Sequence, residues 1–507
     1  NNRNNSYPVR LVRGGEWYSV SATFEALYRA WCNCRRRKRK TSQAQHYELN
    51  LLDNLLTAVQ TLHERTWSPS PPVCFVVTKP KGREVHAAQF ADRVIHHYLV
   101  PQLEALFEPV FIHDLYSNRN NKGTHSAVKQ LQTFMRRLQN QKSSIVPIEG
   151  RGPFYLQLDV ANFFNCIDRP RLFVMLQKNL KNAIRKKHIS PQKATALRWL
   201  CHVVLKQDIA AESKLIVTRA EYNKVPAHKR LSQAGEGKAL PIGNLPSQLF
   251  ANIYLNALDQ FIKHELKCRY YIRYVDDMIL LHESYAQLRQ WQQQIEHFLA
   301  FQLDLTLRPE KPLRPITDGA NFLGYIVRPG YLLVRRRVVA NLRSKLQAFE
   351  QKNIVGSRQK GWTLQLSSFA ETKLISLLAS YWGHFSHASS FNLKKRILSR
   401  FVWLKLLFSD QSGRLVSNTQ PKRVSSFRSQ CRYFQRLFPL ANIQIQKGWV
   451  YQSLVADATP PSTIQQDNLF TCVTRIIVDE SGHLPGGLKR RRLQHLTIKP
   501  GVNLCGA

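Results

Sequence analysis

Acidic side chains are scarce in this sequence. Its 507 residues include 33 Asp and Glu against 74 Lys and Arg, which leaves a formal net charge of +41. The composition, with 43% hydrophobic and 10% aromatic residues, is that of a folded chain, so the charge lies on surfaces around a core. The imbalance predicts a polyanionic partner. At roughly 150 residues per domain, the length predicts about three domains.

Long apolar runs and paired cysteines are also lacking. No stretch of about 18 uninterrupted apolar residues is present, and residues 1–6 are polar, so neither membrane spanning nor signal-directed secretion is expected. The nine cysteines include no Cys-x-x-Cys pair, which argues against a zinc ribbon. We interpret them as reduced thiols in a cytosol.

Apolar periodicity indicates a mixed core of helices and strands. Helical patterns cover about 25–62, 92–106, 171–204, 248–268 and 285–301, and a basic helical pattern runs from 340 to 408. Apolar strands are predicted at 73–78, 154–160, 270–274 and 278–281. A composition rich in Ser, Gln and Pro after Gly413 predicts a linker and a separate small domain.

Two runs of cations are candidates for contact with nucleic acid. The first, within the 25–62 helical pattern, is Arg35, Arg36, Arg37, Lys38, Arg39 and Lys40, and the second is Lys489, Arg490, Arg491 and Arg492. A solvated face is the alternative interpretation of such a run. At a net charge of +41, a phosphate contact is at least as well supported.

Three aspartates interrupt the predicted strands. Asp159 closes the run 154–158, and Asp276 and Asp277 separate 270–275 from 278–281. Adjacent ionised carboxylates repel unless a cation neutralises them, although an Asp that caps a turn is the structural alternative. Carboxylates from two strands are the ligands that two Mg²⁺ ions need in nucleotidyl transfer. In so basic a chain, the pattern predicts a nucleic-acid polymerase.

The segment 274–277, Tyr-Val-Asp-Asp, resembles the Tyr-x-Asp-Asp box of reverse transcriptases, and further boxes follow in that family's order from about 75 to 325. The resemblance implies an RNA-directed DNA polymerase with an α+β right-hand fold: fingers, a palm with a ferredoxin-like antiparallel sheet, and a helical thumb. It also implies two Mg²⁺ ions, with Mn²⁺ as an alternative, held by Asp159, Asp276, Asp277 and the Val160 carbonyl.

Other boxes imply contacts to the incoming nucleotide and to the primer. Lys81 and Arg83, followed by Asp92-Arg93, match the basic fingers motif, and Arg119 matches the next basic box. Lys311 falls where the family has a lysine near the triphosphate, a candidate general acid toward pyrophosphate. Phe164 falls where an aromatic excludes a ribose 2′-hydroxyl; a core aromatic is the alternative. The segment 322–325 resembles the primer-grip box; its residues are Phe322, Leu323, Gly324 and Tyr325.

The box 242–248, Ile-Gly-Asn-Leu-Pro-Ser-Gln, departs from retroviral and group II intron enzymes at Ile242 and Gln248. This departure resembles reverse transcriptases of diversity-generating retroelements, which make frequent errors opposite template adenines during mutagenic retrohoming. Gly243 is expected to let the backbone approach the nascent base pair, and Ile242 to change how tightly that pair is held; loop packing is the alternative for Ile242. The segment 380–385, Ser-Tyr-Trp-Gly-His-Phe, resembles that family's thumb signature.

This resemblance also implies partners and a location. The partners are a structured template RNA, the cDNA, dNTPs and a small helical accessory protein that forms an oligomeric ring. The location is the cytoplasm, with the chain encoded by a bacterium or phage. Two alternatives stay open: a reverse transcriptase of the defence or group II intron-like type, and a catalytically silent RNA-binding scaffold.

Domain boundaries follow from the boxes and the composition. We expect an N-terminal helical basic region at 1–70, fingers at 71–155, a palm at 156–335 with a helical insertion at about 170–240, a thumb at 336–408, a linker at 409–424 and a small α/β accessory domain at 425–507. In that last domain, 433–452 faintly resembles the mismatch-reading N-terminal domain of MutS. Val450 and Gln452 stand where MutS has Phe and Glu, so only nucleic-acid binding is expected. A structural domain is the alternative.

Overall fold

The computed structural model describes residues 14–78, 82–141, 152–309, 312–357, 361–364, 368–411, 414–417, 442–447, 450–454 and 473–479. The chain divides into two compact units, Asn1–Val338 with His387–Ser389 and Val339–Ser386 with Ser390–Ala507. Within the described ranges, no helix combines the length and apolarity needed to cross a bilayer.

The first unit mixes helices and sheets. Its helices are α1 (Gly14–Cys34), α2 (Ser42–Leu49), α3 (Leu51–Glu64), α4 (Phe90–Phe107), α5 (Thr124–Asn140), α6 (Phe163–Cys166), α7 (Arg169–Arg185), α8 (Pro191–Lys206), α9 (Ile209–Glu212), α10 (Arg219–Tyr222), α11 (Leu245–Gln260) and α12 (Tyr285–Leu303). A π-helical turn, Phe261–Glu265, extends α11. Its strands are β1 (Val73–Val77), β2 (Arg83–Ala87), β3 (Phe154–Asp159), β4 (Lys214–Leu215), β5 (Tyr270–Tyr274), β6 (Asp277–His282), β7 (Arg314–Pro315), β8 (Ala320–Phe322), β9 (Tyr325–Val327) and β10 (Leu332–Val334).

A four-stranded antiparallel sheet in the order β5-β6-β3-β7 forms the centre of this unit. Successive side chains of a strand point to opposite faces. One face buries Leu156 and Leu280 with residues of α4, α7, α11 and α12. The other buries Tyr155 and Ile279 with residues of α5 and of the β8-β9-β10 sheet. The sheet is therefore covered on both faces, and the ends of its strands are left to carry polar groups.

β5 is an edge strand of this sheet, and residues 114–116 run along part of its free side. The Arg273 N–H donates to the Asp114 carbonyl (3.1 Å), and the Tyr116 N–H donates to the Arg273 carbonyl (3.0 Å). Leu115 and Arg273 form a parallel bridge. The N–H and C=O of Arg273 are thus both hydrogen-bonded on the free side of β5, whose other side pairs with β6.

The first cationic run lies in a turn, whereas the sequence predicts one helix through it. α1 ends at Cys34, Arg37 has a left-handed φ of 61°, and α2 begins at Ser42. Like charges at helical spacing repel, which disfavours a helix through six consecutive cations. Arg35 takes part in an ion pair within the fold, because its Nε lies 3.2 Å from Glu48 Oε1.

The predicted helix 171–204 is likewise two helices, α7 and α8. Lys187 has a φ of 56° and ends the first. The second begins with a strong local signal: Ser190 accepts a hydrogen bond from the Lys193 N–H, and Pro191 occupies the first turn. The apolar periodicity continues through the break, so periodicity alone missed it.

The second unit contains strands that the helical pattern of 340–408 did not predict. Its elements are α13 (Arg336–Asn353, which begins in the first unit), β11 (Ile354–Ser357), β12 (Gly361–Leu364), α14 (Ser368–Phe385), α15 (Phe391–Arg400), α16 (Leu404–Leu407), β13 (Phe408–Gln411), β14 (Arg414–Ser417), β15 (Asn442–Lys447), β16 (Val450–Leu454) and β17 (Val473–Asp479). The hairpin β13-β14 occupies the start of the interval expected to be a linker. The run 489–492 lies outside the described residues, and Val450 and Gln452 lie in β16.

Candidate active site

A cavity of about 840 Å³ in the first unit brings together eight of the predicted site residues. Further polar residues line it as well, among them Asn118, Tyr274 and Arg308. Lys81 and Lys311 lie outside the described residues. Val160 is fully buried directly after β3, and its carbonyl as a metal ligand stays a prediction. The predicted residues that line the cavity are Arg83, Asp159, Phe164, Ile242, Gln248, Asp276, Asp277 and Leu323.

Strand pairing sets the three aspartates side by side. In the antiparallel register of β3 and β6, Asp159 is directly opposite Asp277. Asp276 lies in the two-residue turn between β5 and β6, after Val275, which has a left-handed φ of 57°. A β-branched residue is strained in that conformation, so the turn needs support from its surroundings.

That support comes from Ser117 and Arg273. The Val275 N–H donates to Ser117 Oγ (3.0 Å), and Arg273 Nη1 donates to the Val275 carbonyl (2.9 Å). Arg273 is fully buried on β5 and pairs with the equally buried Asp259 of α11, to which its Nε donates at 2.7 Å. Tyr271 also donates its hydroxyl to Asp259 (2.8 Å). A buried ion pair therefore anchors the turn that carries Asp276.

The carboxylates of Asp276 and Asp159 share one electrostatic environment. Burial, and next the negative charge of Asp159, raise the pKa of Asp276 from 3.8 to about 6. Arg308 opposes this, since its guanidinium meets Asp159 Oδ2 at 3.0 Å. A buried carboxylate beside a second acid is stabilised by any cation that joins the pair.

The donor set can be tested against the metal that the sequence predicts. Oxygen donors from Asp159, Asp276 and Asp277 have the chemistry that divalent cations prefer. Asp277 Oδ1, however, accepts a hydrogen bond from Gln157 Nε2 (2.9 Å), and Asp159 meets Arg308. No group of three or more His, Cys, Asp or Glu in the described ranges is arranged to hold a metal ion. The residues fit a divalent cation in chemistry, with two of them engaged by neighbouring side chains.

Phe164 lies between the core and the cavity. It is half-buried, lines the cavity and has its ring centroid 5.4 Å from that of Phe163, which is buried in the core. The position of Phe164 therefore fits both interpretations, packing in the core and contact with a nucleotide. Exclusion of the 2′-hydroxyl stays a prediction.

The loop that carries Ile242 and Gly243 packs on β2. The Ile242 carbonyl accepts from the His86 N–H (3.0 Å). Gly243 has a φ of 119°, and a Cβ there would lie 2.7 Å from Val85 Cγ1. Glycine is therefore required for close approach to β2, which differs from the predicted approach to a nascent base pair. The Ile242 side chain lines the cavity.

The predicted primer-grip box is a tight hairpin. Leu323 and Gly324 have positive φ values, 49° and 93°, in the two-residue turn between β8 and β9. Phe322 and Tyr325 flank the turn and are fully buried. Only Leu323 of the four reaches the cavity; the other three shape and anchor the turn.

Arg119 is not among the residues that line the cavity, which corrects its prediction as a nucleotide contact. Its Nη2 donates to Glu108 Oε1 (2.7 Å) and its Nη1 to the Ile112 carbonyl (2.7 Å). Its side chain is only 8% exposed. Asn118, the preceding residue, lines the cavity instead. The guanidinium of Arg119 stabilises its own loop and is not available to a triphosphate.

This correction yields a contrast between two arginine variants. Arg83→Gln is expected to raise KM for dNTP about tenfold, because Arg83 is exposed and lines the cavity. Arg119→Gln is expected to lower stability by about 1–2 kcal/mol and to leave that KM within about twofold. Steady-state extension and thermal denaturation of both variants measure this. An equal rise of KM in Arg119→Gln would contradict it.

Several residues of the site were missed by sequence reasoning. Gln157 contacts Asp277 and also the Asn321 carbonyl (3.2 Å), so it joins a predicted catalytic acid to the β8-β9 hairpin. A polar residue two positions before Asp159, on the same strand face, was the available signal. Arg273 carried a similar signal, as a lone cation in an apolar strand. Arg308 and Asn118 had no signal beyond their place in a basic chain.

Carboxylates at the ends of two paired strands, within a cavity that basic side chains also line, define the class as a nucleic-acid polymerase. Residues 78–327 match the family described as "Reverse transcriptase (RNA-dependent DNA polymerase)". The match supports an RNA-directed DNA polymerase activity for this part of the chain. Enzymes of this family generally use divalent metal ions such as Mg²⁺.

Solved structures similar to the chain include yeast telomerases. They are telomerase from Candida tropicalis in complex with a TWJ fragment of telomeric RNA (11% identity, TM-score 0.37, 69% of this chain and 60% of that chain), telomerase from Candida albicans in complex with a TWJ fragment of telomeric RNA (11%, 0.34, 67% and 59%) and apo telomerase from Candida tropicalis truncated from its C-terminal domain (10%, 0.35, 52% and 55%). The chain thus spans 55–60% of these telomerase chains. TM-scores this low do not establish a shared fold. No curated protein matches the chain.

Proposed function

We propose that this RNA-directed DNA polymerase serves a diversity-generating retroelement and copies a structured template RNA into cDNA with errors at template adenines. One observation carries the proposal. Ile242 and Gln248, which replace the residues usual in retroviral and group II intron enzymes, line the same cavity as the three aspartates. Side chains that border the reacting nucleotide can change how strongly the enzyme discriminates between correct and incorrect base pairs.

The chemistry that we propose is two-metal nucleotidyl transfer. Asp159, Asp276, Asp277 and the Val160 carbonyl would hold two Mg²⁺ ions, with Mn²⁺ as an alternative. When bound, such ions stabilise the charge that develops on the transferred phosphoryl group. Arg308 supports this role of the acids, because it already offsets the negative charge of Asp159.

The remaining cavity residues are proposed to hold and select substrates. Arg83, with Lys81, would bind the triphosphate, and Lys311 would act as general acid toward pyrophosphate. Phe164 would exclude a ribose 2′-hydroxyl by contact. The turn at Leu323 would support the primer end, since its side chain lines the cavity beside the aspartates.

The proposal extends to domains and partners. Residues 71–155, 156–335 and 336–408 would act as fingers, palm and thumb, and 425–507 would bind nucleic acid. Template RNA, cDNA and dNTPs would meet at the cavity, and a small helical accessory protein in an oligomeric ring would complete the complex. A bacterial or phage origin and a cytoplasmic location belong to the same proposal.

A fidelity assay tests the mutagenic step. Purified protein copies a defined RNA with Mg²⁺, and errors are counted opposite template A, C, G and U. We expect errors at adenine to exceed the others. Ile242→Gln is expected to lower the adenine error rate about tenfold, a difference of about 1.4 kcal/mol in discrimination. Ile242→Val, which keeps a branched apolar side chain, is the matched control and should retain most of the errors.

Two outcomes would turn against the proposal. Equal error rates at all four template bases would remove the adenine-mutagenic function and favour a reverse transcriptase of the defence or group II intron-like type. Accurate copying by the wild type together with an unchanged Ile242→Gln would assign Ile242 to loop packing only.

A further inference from the structure

A second cationic site lies at the opposite end of β5 from the catalytic acids. It is an open depression of about 440 Å³, which we name the arginine notch. A strand of five residues spans about 13 Å, so Tyr270 at the start of β5 is well separated from Asp276 beyond its end. The notch is lined by Arg136, Arg137, Asn140, Gln141, Arg269 and Tyr270.

Three arginines from two parts of the chain line the notch. Arg136 and Arg137 come from the last turns of α5, and Arg269 directly precedes β5. Among the residues that the structure describes, no Asp or Glu lines the notch. Within the described ranges, Arg137 and Arg269 form no ion pair, and Arg136 uses its Nε for the Pro329 carbonyl (3.0 Å). Like charges held this close are destabilising unless an anion joins them.

A buried hydroxyl gives a second, independent indication. Tyr270 is only 5% exposed, and its hydroxyl has no hydrogen-bond partner among the described residues. A buried hydroxyl without a partner costs free energy. Its ring is fixed by Phe134, with centroids 5.3 Å apart, and by the Arg269 guanidinium 5.4 Å above it. Tyr270 lines the notch, so the notch includes a residue whose buried hydroxyl lacks a partner among the described residues.

These donors suit a phosphate. Guanidinium groups bind phosphate oxygens through paired hydrogen bonds, and a hydroxyl and two side-chain amides add further donors. The Arg136 contact with Pro329 places the notch beside the loop that joins β9 and β10, at the far end of the primer-grip hairpin from Leu323. Nucleic acid bound here would lie outside the catalytic cavity.

We propose that the arginine notch binds a backbone phosphate of RNA that extends beyond the catalytic cavity, and so anchors the template. The inference rests on the proposed structured template for its ligand, but not on the adenine-directed errors. A C-terminal arginine on a helix is common by itself, because it offsets the helix dipole. That explanation covers Arg137 alone; it does not account for Arg269 or for the hydroxyl of Tyr270.

The test compares two RNAs and three variants of the full chain. The probes are a fluorescein-labelled structured RNA of roughly 100 nucleotides and a primer–template duplex of roughly 10 base pairs, each titrated over a range of salt. Arg137→Gln with Arg269→Gln is expected to weaken binding of the long RNA about tenfold and to lower its salt slope by about one to two. Tyr270→Phe, which removes only the hydroxyl, is expected to weaken it about threefold.

The matched control is Arg185→Gln with Arg198→Gln, two exposed arginines on α7 and α8 that remove the same charge. An equal loss of long-RNA binding in this control, or an unchanged Tyr270→Phe, would overturn the site. Inorganic phosphate at constant ionic strength serves as a competitor. If the notch variant loses phosphate binding while its affinity for the long RNA is unchanged, the notch takes free anions and not RNA, which also overturns the proposal.

Primer extension on the short duplex tests the proposed polymerase function separately from RNA binding at the notch. All notch variants should extend it at the wild-type rate, since the notch touches none of the cavity residues. A wild type that extends no primer, or that makes no adenine errors, would count against the proposed function and leave the binding comparison intact.

Discussion

Exchange of Asp276 for Asn is expected to abolish primer extension on an RNA template, with a loss on the order of 10³-fold or more. The exchange removes a charged oxygen from the cluster of Asp159, Asp276 and Asp277 while keeping the shape of the side chain. Single-nucleotide incorporation with Mg²⁺ measures the effect. Asp53→Asn, an exposed aspartate on α3, is the matched control and should retain wild-type activity. Incorporation by Asp276→Asn at more than about a tenth of the wild-type rate would contradict the assignment.

The same exchange should make the metal-free protein more stable. The pKa of Asp276 is about 6 in the folded chain against 3.8 as the ordinary value, so the folded state holds the proton more tightly. Stability is therefore lost as pH rises from about 4 to about 6. Asp276→Asn avoids that loss, and we expect a gain of about 1–2 kcal/mol at pH above about 6 and none at about pH 4. Thermal denaturation in EDTA at the two pH values measures it.

Replacement of Arg273 by Met should destabilise the protein by about 3–5 kcal/mol, because it leaves the carboxylate of Asp259 buried and unpaired. The loss should extend to catalysis, since Arg273 also holds the Val275 carbonyl in the turn before Asp276. Chemical denaturation measures the first effect, and extension at a temperature where the variant is folded measures the second.

A double variant isolates the electrostatic part of this effect. Arg273→Met with Asp259→Asn removes both charges and keeps an acceptor for the Tyr271 hydroxyl. It should recover more than half of the lost stability. Arg198→Met, at an exposed position on α8, is the control and should change stability by less than about 0.5 kcal/mol. If Arg273→Met alone lowers stability no more than this control does, the buried ion pair does not stabilise the turn before Asp276.

The strands and the catalytic acids were predictable because local patterns determine them. Short apolar runs placed β3, β5 and β6 within one or two residues, and acids at strand ends were unusual in so basic a chain. Antiparallel pairing then requires Asp159 to meet Asp277 when both strands have that pattern. Here local sequence and tertiary structure agree.

The failures share a different physical origin. The breaks at Arg37 and Lys187 depend on single residues in left-handed backbone, which apolar periodicity does not detect. The guanidinium of Arg119 contacts Glu108 and two carbonyls, which become its neighbours only after folding. The contact of Gln157 also forms only after folding, because its partner Asp277 is 120 positions away in the chain. Side-chain partners of this kind follow from the tertiary fold.

The segment 114–116 beside β5 has a consequence for solubility. An edge strand with free N–H and C=O groups is a template on which other chains can add, and so a source of aggregation. Here the backbone of Arg273 is already hydrogen-bonded to Asp114 and Tyr116. The strand that delivers Asp276 to the cavity is thereby shielded from intermolecular pairing, and loosening of 114–116 would expose a self-associating edge next to the catalytic acids.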